Sequence, residues 1–435
     1  MSRTRGSSRD ARVVGIGMLL VASMLMSTPA VAKGKPVTVT IASVVELEAA
    51  IGGGADTILV EPGDYVVDGS LLLEDVDLIG TAEGVVFSSL DPGAAAAGGE
   101  AIFRVAGSVL IENVGFTGGG FTYVGSAFAV DAQKHNDITI RASRFETASF
   151  VYDDDVPFDV SLFNTAVTIG NGFAHTGSAN SWDVEFSDNY VRGGFAGPVI
   201  GNFYSDASGS RLTASIHDNF FEKTLDPAVI VIGAFAGVSG TVSGTSRDNT
   251  YSLTGGLSVG GGIGDFFFGI ENPDTPGLGG SGADVDWLSK NETFVGPFDS
   301  IGTYGGRRYR VLDSPSAGND VRVRIQSATF GPDNVNGVSI LASSINDHDP
   351  VLGDFSANGD GEGNTLTVTM TQVDFSDSPA GVWIRNHGGN ADINDYSAEP
   401  SYGNEARITG SPTSMEASNP GVNDIPAWFF TGGGS

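Results

Sequence analysis

The sequence predicts an all-β protein in which short strands coil into one solenoid. Three observations support this prediction: strand-like runs alternate with turn residues, one sequence outline recurs along the chain, and no Pro/Ser-rich linker or charged run divides it. Glycine is abundant, with 63 of 435 residues, which is typical of a chain that turns often. Stacked coils would form one elongated domain rather than the two or three domains that this length usually gives.

The recurring outline is a short strand, a polar step and then an aromatic or apolar residue, as in VEFSDNYV and TASIHDNFF. Its shortest spacings are about 30 residues, and the longer ones indicate inserted loops. Like residues in successive coils would stack in the interior, where each stabilises the fold by roughly 1.5–3 kcal/mol. The expected stack consists of Phe116, Phe145, Val191, Phe221, Tyr251, Phe294, Phe330 and Phe375.

Asparagines lie just before these stacked positions and are predicted to be structural. An asparagine side chain can hydrogen-bond turn backbone, and asparagine tolerates the left-handed conformation. The asparagines concerned are Asn113, Asn189, Asn219, Asn249 and Asn291.

Residues 1–32 are predicted to be a secretory signal peptide, cleaved after Ala32. A basic start precedes a short apolar run, and small residues occupy the positions before the cleavage site. We therefore expect a protein secreted to the periplasm or the medium. The remainder, 33–435, is predicted to be the β-helix domain: an N-terminal cap (33–56), the coils (57–410) and a C-terminal tail (411–435). In the cap, Ser43 and Glu46 form a capping-box pattern ahead of a short amphipathic helix.

Charge and cysteine content disfavour several classes of function. The formal net charge is −30, and the predicted signal peptide carries four arginines but one acid, so the mature chain is more acidic still. Such a surface repels nucleic acid and anionic membranes, so we expect neither a nucleic-acid partner nor membrane insertion. The chain has no cysteine, which excludes a disulfide scaffold and thiol catalysis.

The segment DTILVEPGDYVVDGSLLLEDVDLIG (56–80) and the later IENVGF-like units resemble the pectin-lyase-like superfamily. This resemblance implies a right-handed parallel β-helix with a short N-terminal capping helix. The superfamily contains lyases, hydrolases, esterases and non-catalytic adhesins, so the fold alone does not settle function. The motifs of its better-known hydrolases and esterases are absent. GVWIRNH (381–387) is only faintly similar to a pectate-lyase element, with Arg385 in place of the acid.

Asp153, Asp154 and Asp155 are a candidate metal site, since adjacent carboxylates repel one another unless a cation or a solvated loop relieves them. Calcium prefers such oxygen ligands, and a lyase would use it to neutralise a substrate carboxylate. An exposed acidic loop is the simpler interpretation in a chain this acidic.

Lys134, His135 and Arg141 are candidate catalytic residues, because they combine a base, an acid and a cation close together in the sequence. Strand alternation would bury Ile138 and Ile140 and turn Arg141 outward. A surface turn with paired charges is the competing interpretation.

Arg307, Arg308 and Tyr309 are candidate substrate-binding residues, in the one dense basic patch of the predicted mature chain. Such a patch would attract a uronate or sulfate, unless neighbouring acids pair with the arginines. The tryptophans Trp182, Trp287 and Trp383 are a further candidate for a sugar track, although strand aromatics more often pack inside.

Two classes of function therefore stay open. In the first, the protein binds or processes an extracellular, acidic polysaccharide or cell-surface glycan; as an enzyme it would be a polysaccharide lyase or a related carbohydrate-active enzyme. In the second, it is a non-catalytic structural or adhesive rod.

Overall fold

The structure of the protein is a computed structural model, which describes most of the strands and the turns between them. The described residues are 35–90, 101–118, 122–126, 135–147, 165–171, 180–202, 209–224, 227–234, 240–262, 282–295, 301–304, 318–331, 338–341, 365–373, 382–385 and 405–410.

The strands form three sheets in which all neighbouring strands are parallel. Sheet A contains β1 (Thr38–Ile41), β2 (Thr57–Val60), β5 (Asp77–Gly80), β8 (Ser108–Glu112), β11 (His135–Arg141), β14 (Ser181–Ser187), β17 (Arg211–His217), β20 (Thr241–Arg247), β23 (Asp284–Lys290), β26 (Asp320–Gln326), β29 (Thr365–Thr371) and β31 (Glu405–Gly410). Sheet B contains β3 (Gly63–Val67), β6 (Val85–Ser89), β9 (Gly115–Thr117), β12 (Arg144–Glu146), β15 (Tyr190–Arg192), β18 (Phe220–Glu222), β21 (Thr250–Ser252), β24 (Thr293–Val295) and β27 (Thr329–Phe330). Sheet C contains β4 (Leu71–Glu74), β7 (Ala101–Ala106), β10 (Thr122–Ser126), β13 (Thr165–Asn171), β16 (Ala196–Asn202), β19 (Pro227–Ala234), β22 (Gly255–Gly262), β25 (Ile301–Tyr304), β28 (Val338–Leu341) and β30 (Val382–Arg385).

The chain visits sheets A, B and C in turn, so each circuit is one coil of a right-handed parallel β-helix. Right-handed connection is the strong preference for parallel strands. Every strand pairs with the equivalent strand of the next coil, so like positions lie above one another along the helix axis. The predicted solenoid is confirmed.

The predicted interior stack is also confirmed within the described residues. Phe145 pairs with Phe116 and Val191, and the register continues through Phe221, Tyr251, Phe294 and Phe330 in sheet B. The ring centroids of Tyr251 and Phe294 are 4.7 Å apart at 8°. Phe375, the last predicted member, lies outside the described residues.

The predicted asparagines divide into two structural roles at the turn between sheets A and B. From β8 to β27 this turn has two residues. The first adopts positive φ, which asparagine tolerates best among non-glycine residues, and Asn113 and Asn291 hold this place at φ 56° and 54°. The second points inward, where Asn189, Asn219 and Asn249 are buried.

The inward asparagines form a ladder of hydrogen bonds along the helix axis. The Asn219 side-chain oxygen accepts from the backbone N–H of Asn189 at 2.9 Å, and its amide nitrogen donates to the Phe186 carbonyl. Asn249 repeats this arrangement in the next coil. At the following rung Glu292 replaces asparagine and accepts from the Asn249 N–H at 3.1 Å. The ladder satisfies backbone groups that the turns would otherwise leave buried and unpaired.

The N-terminal end of the coils carries the predicted helix, α1 (Val44–Gly52). The Ser43 hydroxyl accepts from the Glu46 N–H at 3.3 Å, and the Glu46 carboxylate accepts from the Ala42 N–H at 2.7 Å. Strand β1, which the sequence pattern did not predict, precedes the helix and pairs with β2. Within the described residues, no helix is long and apolar enough to cross a membrane.

Two of the three tryptophans proposed for a sugar track are instead packed in the interior. Trp182 and Trp287 are 1% and 0% exposed, because alternation along their strands turns them inward. Gly244, the strand partner of Trp287, makes room for its ring: a Cβ there would lie 2.6 Å from it. The Trp383 side chain lies outside the described part of the structure.

Candidate functional site

His135 and Arg141, two of the predicted catalytic residues, both lie on the outer face of sheet A. They are the first and last residues of β11, which separates their Cα atoms by roughly 20 Å. Ile138 and Ile140 between them are fully buried, as alternation predicts. The structure therefore turns Arg141 outward, as predicted, and places His135 on the same face, but it does not bring the two side chains together.

The other predicted site residues lie outside the described residues, and their roles stay predictions. Their positions along the chain are nevertheless informative, because each falls in a connection that begins or ends at a strand of sheet C. These residues are Lys134 between β10 and β11, Asp153, Asp154 and Asp155 between β12 and β13, and Arg307, Arg308 and Tyr309 between β25 and β26.

The exposed charges of sheet A are largely paired with one another across neighbouring coils. Arg141 donates to Glu112 at 3.0 Å, and this hydrogen bond raises the pKa of the guanidinium. His135 lies 2.9 Å from the Ser181 hydroxyl and 3.7 Å from the Asp183 carboxylate. Such exposed pairs contribute little stability.

A second histidine, His217, forms the most enclosed charged cluster of this face. Its side chain is 15% exposed; Nδ1 lies 2.8 Å from Asp218 and Nε2 lies 3.5 Å from Glu185. Both nitrogens of this imidazole therefore lie close to carboxylate oxygens. His217 was not among the site residues predicted from the sequence, although its position at the end of a repeated strand, like that of Arg141, was a usable signal.

Sheet C has an outer face of a different character. The residues that point away from the core between β10 and β22 are small or aliphatic, including Gly125, Thr168, Val199, Ile230 and Ser258. Val199 and Ile230 are only 6% and 8% exposed, yet they do not belong to the interior core cluster. This face is therefore enclosed.

Gly201 belongs to the next outward row of sheet C, and at this position the adjacent strand leaves no space for a side chain. A Cβ there would lie 2.2 Å from the Ile232 carbonyl oxygen. A glycine inside a strand marks a bulge or a site of close approach by a backbone or ligand, and here the close neighbour is the adjacent strand itself.

Chain length varies mainly at the two borders of sheet C. The A-to-B turns keep two residues from β8 onward, whereas β12 and β13 are separated by 147–164, β22 and β23 by 263–283, and β28 and β29 by 342–364. In a solenoid, per-repeat insertions collect on one side, which is often the binding side. The insertions of this chain therefore lie mainly at the borders of sheet C.

In the stretch from β10 to β22, the described outer residues of sheet C offer a surface for contact but no side chain suited to acid–base chemistry. They include no acidic residue and no histidine. Across the whole described part of the chain, no group of three or more histidine, aspartate or glutamate side chains is placed to hold a metal ion. Calcium binding by the three predicted aspartates stays a prediction.

Comparison with known proteins gives a weak structural likeness and no family. No protein-family model matches the chain, and no curated protein matches it. Two solved structures are similar, both catalytic domains of a GH87 alpha-1,3-glucanase carrying an aspartate-to-alanine substitution and in complex with tetrasaccharides. They share 11% and 10% identity, with TM-scores of 0.31 and 0.28, and cover 87% of this chain and 68% of theirs. At these TM-scores the likeness supports no conclusion about function.

The outer face of sheet B carries an aromatic pair that was not predicted from the sequence, Tyr190 and Phe220. Each directly precedes a stacked interior residue, Val191 or Phe221, so alternation turns it outward. The signal was present in the repeat itself, since DNYV and DNFF both place an aromatic residue at this outward position.

Proposed function

We propose that the protein is secreted and binds an extracellular, acidic polysaccharide at a site whose base is the outer face of sheet C. The observation that carries this proposal is the distribution of connection lengths. The turns from sheet A to sheet B have two residues from β8 onward, while each long connection enters or leaves a strand of sheet C. Residues from those connections are attached along both borders of an enclosed, small-residue face. Ligand sites are typically concave and mostly apolar, with a few polar groups that orient the ligand.

The charged residues suited to an acidic polymer fall in those same connections. Arg307 and Arg308 follow β25 of sheet C by a few residues, in a protein whose net charge is −30. Arginine pairs with carboxylate and sulfate groups through two parallel hydrogen bonds. Arg141, Arg322 and Arg324 of sheet A already have acidic partners. The patch around Arg307 is dense enough to attract an anionic ligand.

Secretion and superfamily membership are parts of the same proposal. The basic and then apolar start of the chain supports export. The segment 56–80 and the repeated coil units support membership of the pectin-lyase-like superfamily, alongside the parallel β-helix itself. Export would bring the protein into contact with an extracellular polysaccharide.

The test is retardation of the protein in native gels that contain polygalacturonate, alginate or an uncharged dextran, with release of unsaturated uronate and reducing ends measured in parallel. We expect retardation by an acidic polymer, and at least a tenfold weaker interaction for the double variant Arg307→Gln/Arg308→Gln. The matched control, Arg322→Gln/Arg324→Gln, also removes two arginines but from the outer face of sheet A; it should bind as the wild type does. Equal loss in both variants would show only a general charge effect and would contradict the proposed site.

A non-catalytic rod is the second candidate, and the pairing of surface charges favours it. Arg324 donates to Asp286 at 2.7 Å, Arg322 donates to Asp320, and Arg247 donates to Asp248 at 3.0 Å. Arginines that are already paired with the protein's own acids are less available to an acidic ligand, which suits a rigid spacer. Absence of both binding and product release on every polymer would favour this alternative.

A further inference from the structure

The outer face of sheet B carries two aromatic rings that stack along the helix axis. Tyr190 and Phe220 are strand partners in adjacent coils, and their ring centroids are 5.8 Å apart at an interplanar angle of 4°. The rings therefore stand face to face, one per coil, on the outside of the sheet.

Neighbouring side chains hold this stack in place. The Arg144 guanidinium carbon lies 4.3 Å from the Tyr190 ring centroid, and Arg144 is the strand partner of Tyr190 in the preceding coil. The Tyr190 hydroxyl donates to the Glu222 carboxylate at 2.7 Å. Burial raises the pKa of Tyr190, so its hydroxyl keeps the donating proton. A ring fixed in this way loses little freedom when a ligand binds.

The stack ends abruptly at the next coil. Thr250 is the strand partner of Phe220 on the side opposite Tyr190, and Thr293 and Thr329 follow in the same row. Threonine is much smaller than phenylalanine, so no ring of the described residues covers the side of Phe220 that faces Thr250, and Phe220 is 40% exposed. We call this arrangement of Tyr190, Phe220 and Thr250 the aromatic step.

The step combines two kinds of surface at right angles. Its wall is the flat face of Phe220, whose π system is negative and attracts weakly positive C–H groups. Its floor is a row of threonine side chains that can donate and accept hydrogen bonds. A pyranose ring has the matching form, with C–H groups on its faces and hydroxyls around its edge.

We propose that the aromatic step is a sugar-binding subsite, in which one uncharged pyranose ring stacks on Phe220 above Thr250 and so continues the row Arg144, Tyr190, Phe220. This subsite lies on sheet B and is separate from the polysaccharide site proposed on sheet C. It needs no net charge on the sugar, since the acidic and basic groups beside it are already paired: Arg144 with Glu146 at 2.5 Å, and Arg192 with Glu222 at 3.8 Å.

The test is isothermal titration of the full chain with cellohexaose, maltohexaose and laminarihexaose, at low and at high salt. Phe220→Ala removes the wall of the step. Thr250→Phe introduces a phenylalanine ring into the space where the sugar would stack on Phe220. Val66→Ala is the matched control, because Val66 is an exposed apolar side chain, 48% accessible, on the outer face of the same sheet in an early coil. Circular dichroism and thermal unfolding establish that each variant is folded.

We expect the wild type to bind at least one hexasaccharide with an affinity that does not depend on salt. Phe220→Ala and Thr250→Phe should each weaken that binding at least tenfold, and Val66→Ala should not. Thr250→Phe keeps the proposal testable if Phe220→Ala fails to fold. The inference is overturned if no hexasaccharide binds, or if folded Thr250→Phe binds as the wild type does. Neither result bears on acidic-polymer binding, which Arg307 and Arg308 test independently.

Discussion

Replacing Glu292 with glutamine tests the buried ladder of hydrogen bonds at the position where glutamate, and not asparagine, is present. Glu292 is the one acidic side chain that is fully buried among the described residues. Burial raises its pKa from 4.5 to about 8, although hydrogen bonds from Ser246 and Asn249 oppose this shift. The folded protein therefore keeps the carboxyl proton at pH 7, where the unfolded chain has lost it.

The sign and size of the effect follow from this difference in proton binding. Between the two pKa values the folded state binds more protons than the unfolded state, so the free energy of unfolding falls as pH rises. The slope is about 1.4 kcal/mol per pH unit, so this group should cost the wild type about 3 kcal/mol between pH 5 and pH 7. The stability is fully present below about pH 4.5 and lost by about pH 8. Glutamine still offers an acceptor to the Asn249 N–H but has no proton to lose.

Guanidinium unfolding of both proteins at pH 5, 6 and 7, followed by circular dichroism, measures this difference. We expect the free energy of unfolding of the variant, relative to that of the wild type, to rise by about 3 kcal/mol from pH 5 to pH 7. Glu83→Gln removes an exposed carboxylate and controls for the loss of one acidic group. A difference between Glu292→Gln and wild type that stays constant with pH would refute the reasoning.

Three further changes test packing, the ladder and the surface. Gly244→Ala should lower stability by about 1–3 kcal/mol, because its Cβ would lie 2.2 Å from the Ala214 carbonyl oxygen and 2.6 Å from the Trp287 ring; an unchanged melting temperature in calorimetry would contradict this packing. Asn219→Ala leaves buried backbone groups unpaired and should lower the free energy of unfolding in urea by roughly 1–3 kcal/mol. An unchanged free energy of unfolding would mean that the ladder does not stabilise the fold. Arg141→Gln breaks an exposed pair with Glu112 and should cost less than about 1 kcal/mol. That cost should shrink further in high salt, and a larger, salt-independent loss would mean that the pair is more than a surface contact.

The repeat predicted the architecture because each coil repeats the same local chemistry. Phe221 and Tyr251 lie 30 positions apart in sequence, and the fold stacks them since equal coil lengths bring equal positions into register. The asparagines were predicted as one class, yet Asn113 adopts positive φ while Asn219 is an interior rung. Adjacent positions in a two-residue turn differ in direction, and a loose motif does not separate them.

The candidate site was less predictable, for physical reasons. Arg141 was selected for its residue type, but its acidic partner Glu112 comes from the preceding coil. Pairing between coils depends on the strand register, which the sequence does not state directly. Phe220 was overlooked because an aromatic residue beside the buried Phe221 looks like a second core residue until the strand direction is known. The enclosed face of sheet C depends on where the connections attach, which only the three-sheet topology reveals.

Hydrogen–deuterium exchange with and without a bound acidic polysaccharide tests the central claim most directly. We expect slower exchange, on addition of the polymer, in peptides from the connections that border sheet C, such as 148–164 and 305–317. Peptides spanning the A-to-B turns around Asp188 and Asp218 should be unchanged. Protection confined to sheet A, or absent in a protein that is shown to bind the polymer, would contradict the claim that the outer face of sheet C is the base of the site.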